Sequence, residues 1–378
     1  MYGLNVAAGE YTVVGGGENN QACDALSTIA GGAGNAVSGT GGPEDGFIGG
    51  GQENVVTGDS QDSAVVGGAQ NTVSTNDSAI VGGRHNSVAG AYSVVGGGGS
   101  NGITSAASYA AIVSGYSNTL LGEYGFIGDG SSNTVSGSYG VIGGGNTNNV
   151  SGTAAVIGGG QGSLAEGAYA MVPGGYYNNA AGELSFAAGY HSYARYAGSF
   201  VWSDYTSGAT LLESTGVNQF LARATGGFTL WTNAANTVGA TLAPGSGTWA
   251  SASDRNLKTD VARVDDAAVL DKVAALPIER WSYKSERGVR HVGPMAQDFY
   301  AAFGVGEDDK HITSIDENGV ALAAIKALHA ENADAHTAIS TLRAQNARLT
   351  ALTATQSSQI ARLSAEVASI HAEIRAKR

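Results

Sequence analysis

From residue 12 to about residue 192 the chain repeats one hydrophobic and polar pattern. A small residue is followed by two aliphatics, two glycines, two variable positions and an asparagine. A few more residues, one of them aliphatic or alanine, lead to another glycine. Thr12-Val-Val-Gly-Gly-Gly-Glu-Asn19, Ala64-Val-Val-Gly-Gly-Ala-Gln-Asn71 and Ala79-Ile-Val-Gly-Gly-Arg-His-Asn86 are copies, and Gly140-Val-Ile-Gly-Gly-Gly and Ala155-Val-Ile-Gly-Gly-Gly are later ones. The unit recurs about twelve times at steps of 14 to 18 residues, 15 being the commonest. A fixed short period predicts a solenoid. Fifteen residues are too few for two helices and a turn, but they suit two short strands and two tight corners. The β-branched pairs supply strand centres, and the glycines supply positive φ at the corners. Asparagines at equivalent corners would stack into a side-chain ladder. At ~4.8 Å per coil, twelve coils make a rod on the order of 55–60 Å long.

The period breaks at 193. Ser199-Phe-Val-Trp-Ser-Asp204 reads as an apolar run closing the roll. Residues 218–227 read as a strand and turn, and Phe228-Thr-Leu-Trp-Thr232 alternates as a strand does. Residues 244–253 read as a linker by their Gly, Ser and Pro content. From Ile325 a different period takes over. Positions a (Ile325, Asn332, Ile339, Asn346, Thr353, Ile360, Val367, Ile374) and d (Leu328, Ala335, Leu342, Leu349, Gln356, Leu363, Ile370) keep strict heptad steps. That predicts a coiled coil, and Ile at several of these positions leans toward trimers.

A single coil of this roll has a thin core, because its glycines bury no side chain. Association of several chains around one axis would cover the remaining apolar surface. Trp202, Phe220, Phe228 and Trp231 are candidates for a small inter-subunit core in the neck.

Composition and charge divide the chain near 250. Of 59 glycines, 54 precede residue 253; prolines number 5 and no Gly-X-Y period runs, so collagen is excluded. Residues 1–252 carry three basic side chains (Arg84, Arg195, Arg223) and 15 acidic ones, a net 3 − 15 = −12. Such a front half argues against nucleic acid as a partner, since phosphate binding needs clustered Lys and Arg. With no lysine there, its glycine runs are not phosphate loops. No apolar run approaches ~18 residues, so no membrane span is expected. Met1-Tyr-Gly-Leu-Asn5 lacks the basic start and apolar core of a secretory signal. Export would then use another route, or the natural start lies elsewhere. The lone Cys23 reads as a small buried thiol. No zinc motif is present, the acids at 308, 309, 316 and 317 read as a solvated turn rather than a calcium loop, and neither a metal nor a cofactor is expected.

The glycine repeat resembles the head of YadA-like trimeric adhesins, over about 190 residues. That resemblance implies a left-handed β-roll working as a homotrimer, with an adhesive surface toward a host-cell glycan or protein receptor. Exposed tyrosines (Tyr109, Tyr116, Tyr176, Tyr177) are candidate contacts, although tyrosine in strands more often packs. The opposing reading is that the rod is a spacer.

Four motifs follow the linker in order: Ser253-Asp-Arg-Asn-Leu-Lys258, Ala275-Leu-Pro-Ile-Glu-Arg-Trp-Ser-Tyr-Lys284, His291-Val-Gly-Pro-Met-Ala-Gln-Asp298, and residues 315–328. Together they resemble the intramolecular chaperone domain of phage tailspikes and tail fibres, peptidase family S74. The resemblance implies self-cleavage beside the serine by a Ser–Lys dyad, here Ser253 and Lys258, on the C-terminal side at Ser253–Asp254. The chemistry can be argued on its own terms. A serine hydroxyl needs a base, and lysine becomes one when burial disfavours its charge. Five residues do not put the pair on one helix face; a turn or a neighbouring chain would have to bring them together. A serine attacking its own carbonyl would close a four-membered ring, whereas an N-to-O shift would cut before Ser253. A serine from another chain, or a serine-held water, avoids that ring. Asp254, Arg255 and Asn256 are candidates to hold the turn or stabilise an oxyanion. His291 would orient the site or fill a polar core slot.

The expected organisation is a β-roll head or shaft (1–192), a β neck and linker (193–252), a small α+β self-cleaving chaperone (253–324) and a trimeric coiled coil (325–378). The expected product is a homotrimer on a phage tail fibre or a bacterial surface. An uncleaved surface adhesin and a polysaccharide-degrading tailspike are the alternatives.

Overall fold

The computed structural model describes residues 3–39, 45–57, 60–206 and 210–377. Met1, Tyr2 and Arg378 of the terminal segments read above lie outside them. The chain divides into two compact units, Met1–Ser253 and Asp254–Arg378.

The first unit is a β-solenoid of about 13 turns. Its coils build two parallel sheets, one of 14 strands from Val6–Ala7 to Leu212–Glu213 and one of 15 that starts at Val13–Val14 and ends at Phe220–Arg223. Most strands are two residues long, with the first side chain facing out and the second in. Residues one period apart stack in register, as in Ala64, Ala79 and Val94, and beside them Val65, Ile80 and Val95. The inward residues of both sheets meet in one continuous core, which holds Ile80, Val88, Val95, Ile112, Leu120 and Ile127 fully buried. The core is one aliphatic wide per strand. In the pairs Val65-Val66 and Ile80-Val81 the second residue is outside, with Val66 and Val81 each 51% exposed.

The asparagine ladder expected from the sequence runs inside one edge of the roll. Asn86 Nδ2 donates to Asn71 Oδ1 (3.1 Å), Gly82 O (3.1 Å) and Gly98 O (3.1 Å), and its Oδ1 accepts from the Asn101 backbone N–H (3.0 Å). The same rung recurs through Asn54, Asn118 and Asn133. A buried donor or acceptor left unpaired costs ~1–3 kcal/mol. Asn86→Ala strands several at once, so a loss of about 3 kcal/mol is expected in denaturant unfolding of the full chain. Asn86→Ser should cost clearly less. Ser163 already stands in the ladder, where its Oγ accepts from the Asn178 backbone N–H (3.4 Å). Equal losses for the two variants would show that the ladder's side-chain bonds carry no stability.

Corners are made in two ways. At Gly83, φ is +91° and an added Cβ would lie 2.1 Å from Gly98 O, so only glycine fits. The residue before most ladder asparagines and the residue at the opposite corner also take left-handed backbone without being glycine, as at His85 (φ 58) and Tyr92 (φ 58).

Two expectations are corrected in this unit. Cys23 is exposed: it directly follows the buried Ala22 of the strand Gln21–Ala22, and the alternation carries it outward. The Gly/Ser/Pro stretch is not plain linker. Its Trp249–Ser251 pairs antiparallel with Gly239–Leu242, which pairs with Phe228–Trp231. Parallel stacking also outlasts the sequence period, because Phe200–Ser203 and Phe220–Arg223 extend the second sheet with longer strands. At that end Arg223 lies 3.7 Å from Asp204 as an ion pair. The Asp204 carboxyl is held below its usual range, first by the Thr225 hydroxyl and then by the Thr225 N–H.

The second unit is small and α+β. A 3-10 turn, Arg255–Leu257, leads to helix α1 (Asp266–Ala275). An antiparallel pair follows, Glu279–Trp281 with His291–Gly293. Helix α2 (Ala296–Phe303) stops at Gly304 in left-handed backbone. Helix α3 spans Ser314–Ala376 without a break. It starts eleven residues before the heptads, where the Thr313 hydroxyl caps the Asp316 N–H (3.1 Å). Helix α1 packs on α3 with an Asp266–Lys326 ion pair. Among the described residues of this unit only Phe299, Ala324 and Ala327 are buried. The heptad residues Ile339, Leu349, Ile360 and Ile370 are 45 to 63% exposed. No helix among the described residues is long and apolar enough to cross a membrane.

Candidate functional site

Ser253 is the last residue of the first unit and Asp254 the first of the second. Between Ser253 and Lys258 the backbone makes a single 3-10 turn. Asp254 caps it: its carboxylate accepts from the Asn256 N–H (2.9 Å) and from Asn256 Nδ2 (3.0 Å). The Lys258 N–H closes the turn on Arg255 O (3.2 Å). Asp254 and Asn256 are thus brought together to hold the turn. All six residues are exposed in the single chain. A lysine acting as a base must be uncharged, and burial is what favours that.

His291 belongs to an aromatic group. Its ring stacks on Trp281 at 4.7 Å, Tyr283 stands edge-on at 5.7 Å, and Nε2 is 3.5 Å from Glu286 Oε2. The Trp281 indole N–H and His291 Nε2 are buried without a hydrogen bond. Sequence reasoning singled out His291 but gave no signal for this pairing, because strand register decides which ring faces it. Asp308 accepts from the N–H groups of Lys310 and His311 and from the His311 ring. These bonds hold its carboxyl below the usual range, the Lys310 N–H first, and the arrangement is a solvated turn. Among the described residues no three His, Cys, Asp or Glu gather to hold a metal ion.

The faces of the roll differ. Outward residues of the second sheet are apolar, among them Phe47, Val94, Phe126, Met171 and Phe220, 37 to 74% exposed. Phe186, Phe200 and Phe220 stack at 4.4 and 4.7 Å. Many outward residues of the first sheet are small and polar, such as Thr72, Ser87, Thr119, Thr134 and Asn149, although Val55 and Leu164 also face outward there. Of the tyrosine candidates, Tyr109 (50%), Tyr116 (61%), Tyr176 (38%) and Tyr177 (50%) are all exposed. Tyr109 is one rung of a ladder, stacked between Tyr92 (4.8 Å) and Tyr124 (5.1 Å), with Tyr139 next (4.7 Å). The sequence shows these tyrosines recurring at the period, but not that their corner backbone is left-handed.

Residues 253–305 match the family described as chaperone of endosialidase, Peptidase S74. Residues 40–144 match the family described as grass antifreeze beta roll. Comparison with curated proteins returned no match. A segment similar to Peptidase S74, beginning at Ser253, therefore stands C-terminal to a β-roll.

Proposed function

We propose that this chain is the protomer of a homotrimeric tail-fibre or adhesin-like protein. In this reading its C-terminal part aligns three chains, assists folding of the roll, and is then released by Ser253–Lys258 self-cleavage. The observation that carries the reading is uncovered apolar surface. Among its described residues the second unit buries only Phe299, Ala324 and Ala327 by itself, and a groove among α1, α2 and α3 is lined by Val264, Val269, Phe303, Ile315 and Val320. The heptad seam and the outer face of the second sheet lie open as well. In this reading each of these surfaces is covered by neighbouring copies. The similarity to Peptidase S74 implies trimeric assembly and suggests autoproteolysis.

Cleavage then depends on assembly. Lys258 is exposed in one chain, so its activation as a base would come from neighbouring chains that cover it. Asp254 and Asn256 would keep the turn in shape while Ser253 attacks, and Arg255 would face the developing oxyanion. The head would meet a glycan or protein on a host-cell surface. The antifreeze likeness is read as one of coil geometry, because Val55 and Gly102 interrupt the outward hydroxyl row of the first sheet within the matched residues.

Light scattering on Ser253→Ala, which keeps the chain whole, tests the assembly. The expected mass is three times 37.8 kDa. A 37.8 kDa species at micromolar concentration would overturn the reading. Phe126→Glu puts a charge on the proposed interface and should shift the population toward monomers, since an unpaired buried charge costs several kcal/mol.

A further inference from the structure

The tyrosine ladder has one missing rung. Tyr92, Tyr109, Tyr124 and Tyr139 stack in consecutive coils, their planes within 6 to 10° of parallel. The next coil puts Ala154 at this position, and the one after it puts Tyr169. The three backbones are equivalent. Tyr139, Ala154 and Tyr169 have φ of 59°, 53° and 58°. Their N–H groups donate in the same way to Glu123 O, Ser138 O and Thr153 O, at 2.9, 2.8 and 2.9 Å. The flanking strands stack in register, Val141 on Val156 on Met171. Tyr139 and Tyr169 are 56% and 60% exposed. Two coils separate them by about 9.5 Å, twice the ~4.8 Å spacing of paired strands. A planar group needs ~3.5–4.0 Å of contact distance on each side. One such group fits between the tyrosines, at the height where the ladder would have placed a ring.

Charge selects what that group is. Glu123 precedes Tyr124 on one side of the gap, and Glu166 and Glu183 stand by Tyr169 and Leu184 on the other. The Tyr124 phenol is pushed up first by desolvation and then by the neighbouring Glu123 carboxylate. Residues 1–252 carry 15 acids against three arginines. A flat cation suits both the shape and the field. Guanidinium is planar, keeps its charge and stacks on aromatic faces, and cations within ~6 Å of a ring centroid are attracted by it.

We propose that the Ala154 gap is a binding slot for the guanidinium of an arginine side chain on a protein partner. This deepens, and rests on, the reading of the head as a binding surface. The site would admit one arginine between Tyr139 and Tyr169, and its affinity would fall with added salt because its charges are exposed.

The test is a titration of the intact Ser253→Ala protein with an arginine-containing acetylated peptide, followed by tyrosine fluorescence or chemical shifts. The same peptide with citrulline, neutral and nearly isosteric, should bind about tenfold more weakly, because it lacks the cation that the rings attract. Ala154→Tyr fills the gap on a backbone that already carries tyrosine at equivalent positions, so it should fold as wild type by circular dichroism. It should also weaken arginine binding at least about tenfold. Tyr139→Leu and Tyr169→Leu should each weaken binding. Equal affinity for arginine and citrulline, or unchanged binding by a folded Ala154→Tyr, overturns the slot. A cell-adhesion assay separates the two readings. Adhesion in wild type without arginine-selective peptide binding removes the slot but keeps the adhesive head, whereas arginine-selective peptide binding without adhesion keeps the slot and removes the adhesive head.

Discussion

Freshly expressed chain is expected to appear as two fragments of about 25 and 13 kDa, in proportion to 37.8 kDa over 378 residues, while Ser253→Ala and Lys258→Ala stay whole. The effect is all or none because it removes the nucleophile or its base, and neither a lone serine nor a lone lysine cuts a peptide bond at a useful rate. Intact mass reads the result directly and also assigns the bond. A cut after Ser253 leaves the serine on the larger fragment; an N-to-O shift leaves it on the smaller one. The dependence on assembly adds a second readout. If neighbouring chains bury Lys258, cleavage should accompany trimer formation and be absent from chains held as monomers. Processing in a strictly monomeric variant would place the base within one chain. Wild type that stays whole as a stable trimer would sink the dyad, and the protein would then be an uncleaved adhesin that keeps its coiled coil. Asp254→Ala gives a graded result between these limits. It removes the carboxylate that accepts both bonds from Asn256, so cleavage should slow without being abolished.

The roll was legible because its chemistry repeats. Val and Ile at a fixed step place strands, and Asn86 with its equivalents satisfies its amide through the asparagines of the coils on either side and the carbonyls of Gly82 and Gly98. What the period does not encode is which of two adjacent aliphatics faces in: Ile80 is buried and Val81 is not. The left-handed corners at Tyr92 and His85 were also hidden, since nothing in those residue types demands positive φ. Cys23 was misread for a related reason, because its type favours burial while its place in the alternation puts it outside. At the C-terminal end, the strand Trp249–Ser251 lies within a composition that reads as linker, and its antiparallel partner, not its own propensity, fixes it. The candidate site was legible as an ordered set of motifs. The positions of Ser253 and Lys258 can be named from the sequence, but the covering that the proposed mechanism asks of neighbouring chains cannot, because both residues are exposed in the single chain.

Two truncations test the proposed role of the long helix, and both should abolish the soluble trimer. Removing residues 325–378 deletes the whole heptad seam, but it also removes Lys326 and the buried Ala327, which tie α3 to α1. A failure there could come from the local fold of the second unit. Removing residues 339–378 keeps that packing and takes away Ile339, Leu342, Leu349, Ile360 and the rest of the seam. If the seam aligns chains, the shorter deletion should fail nearly as badly, giving monomers or aggregates in place of trimers. The physical reason lies in the contacts of the roll. Its strands pair only across whole coils, and its outer apolar face is proposed to find its cover on other chains. Bringing three free chains into register is an entropic cost met before those contacts form. A coiled coil folds quickly from local contacts and makes the later association effectively intramolecular. Asn332 and Asn346 at a positions would fix the register at some cost in stability, which suits an element that aligns chains and is then released. Sedimentation and circular dichroism of the two deletions, each combined with Ser253→Ala, give the answer. A soluble, folded trimer from the 339–378 deletion would show that the roll assembles without the helix, and the chaperone role would fall even if self-cleavage stood.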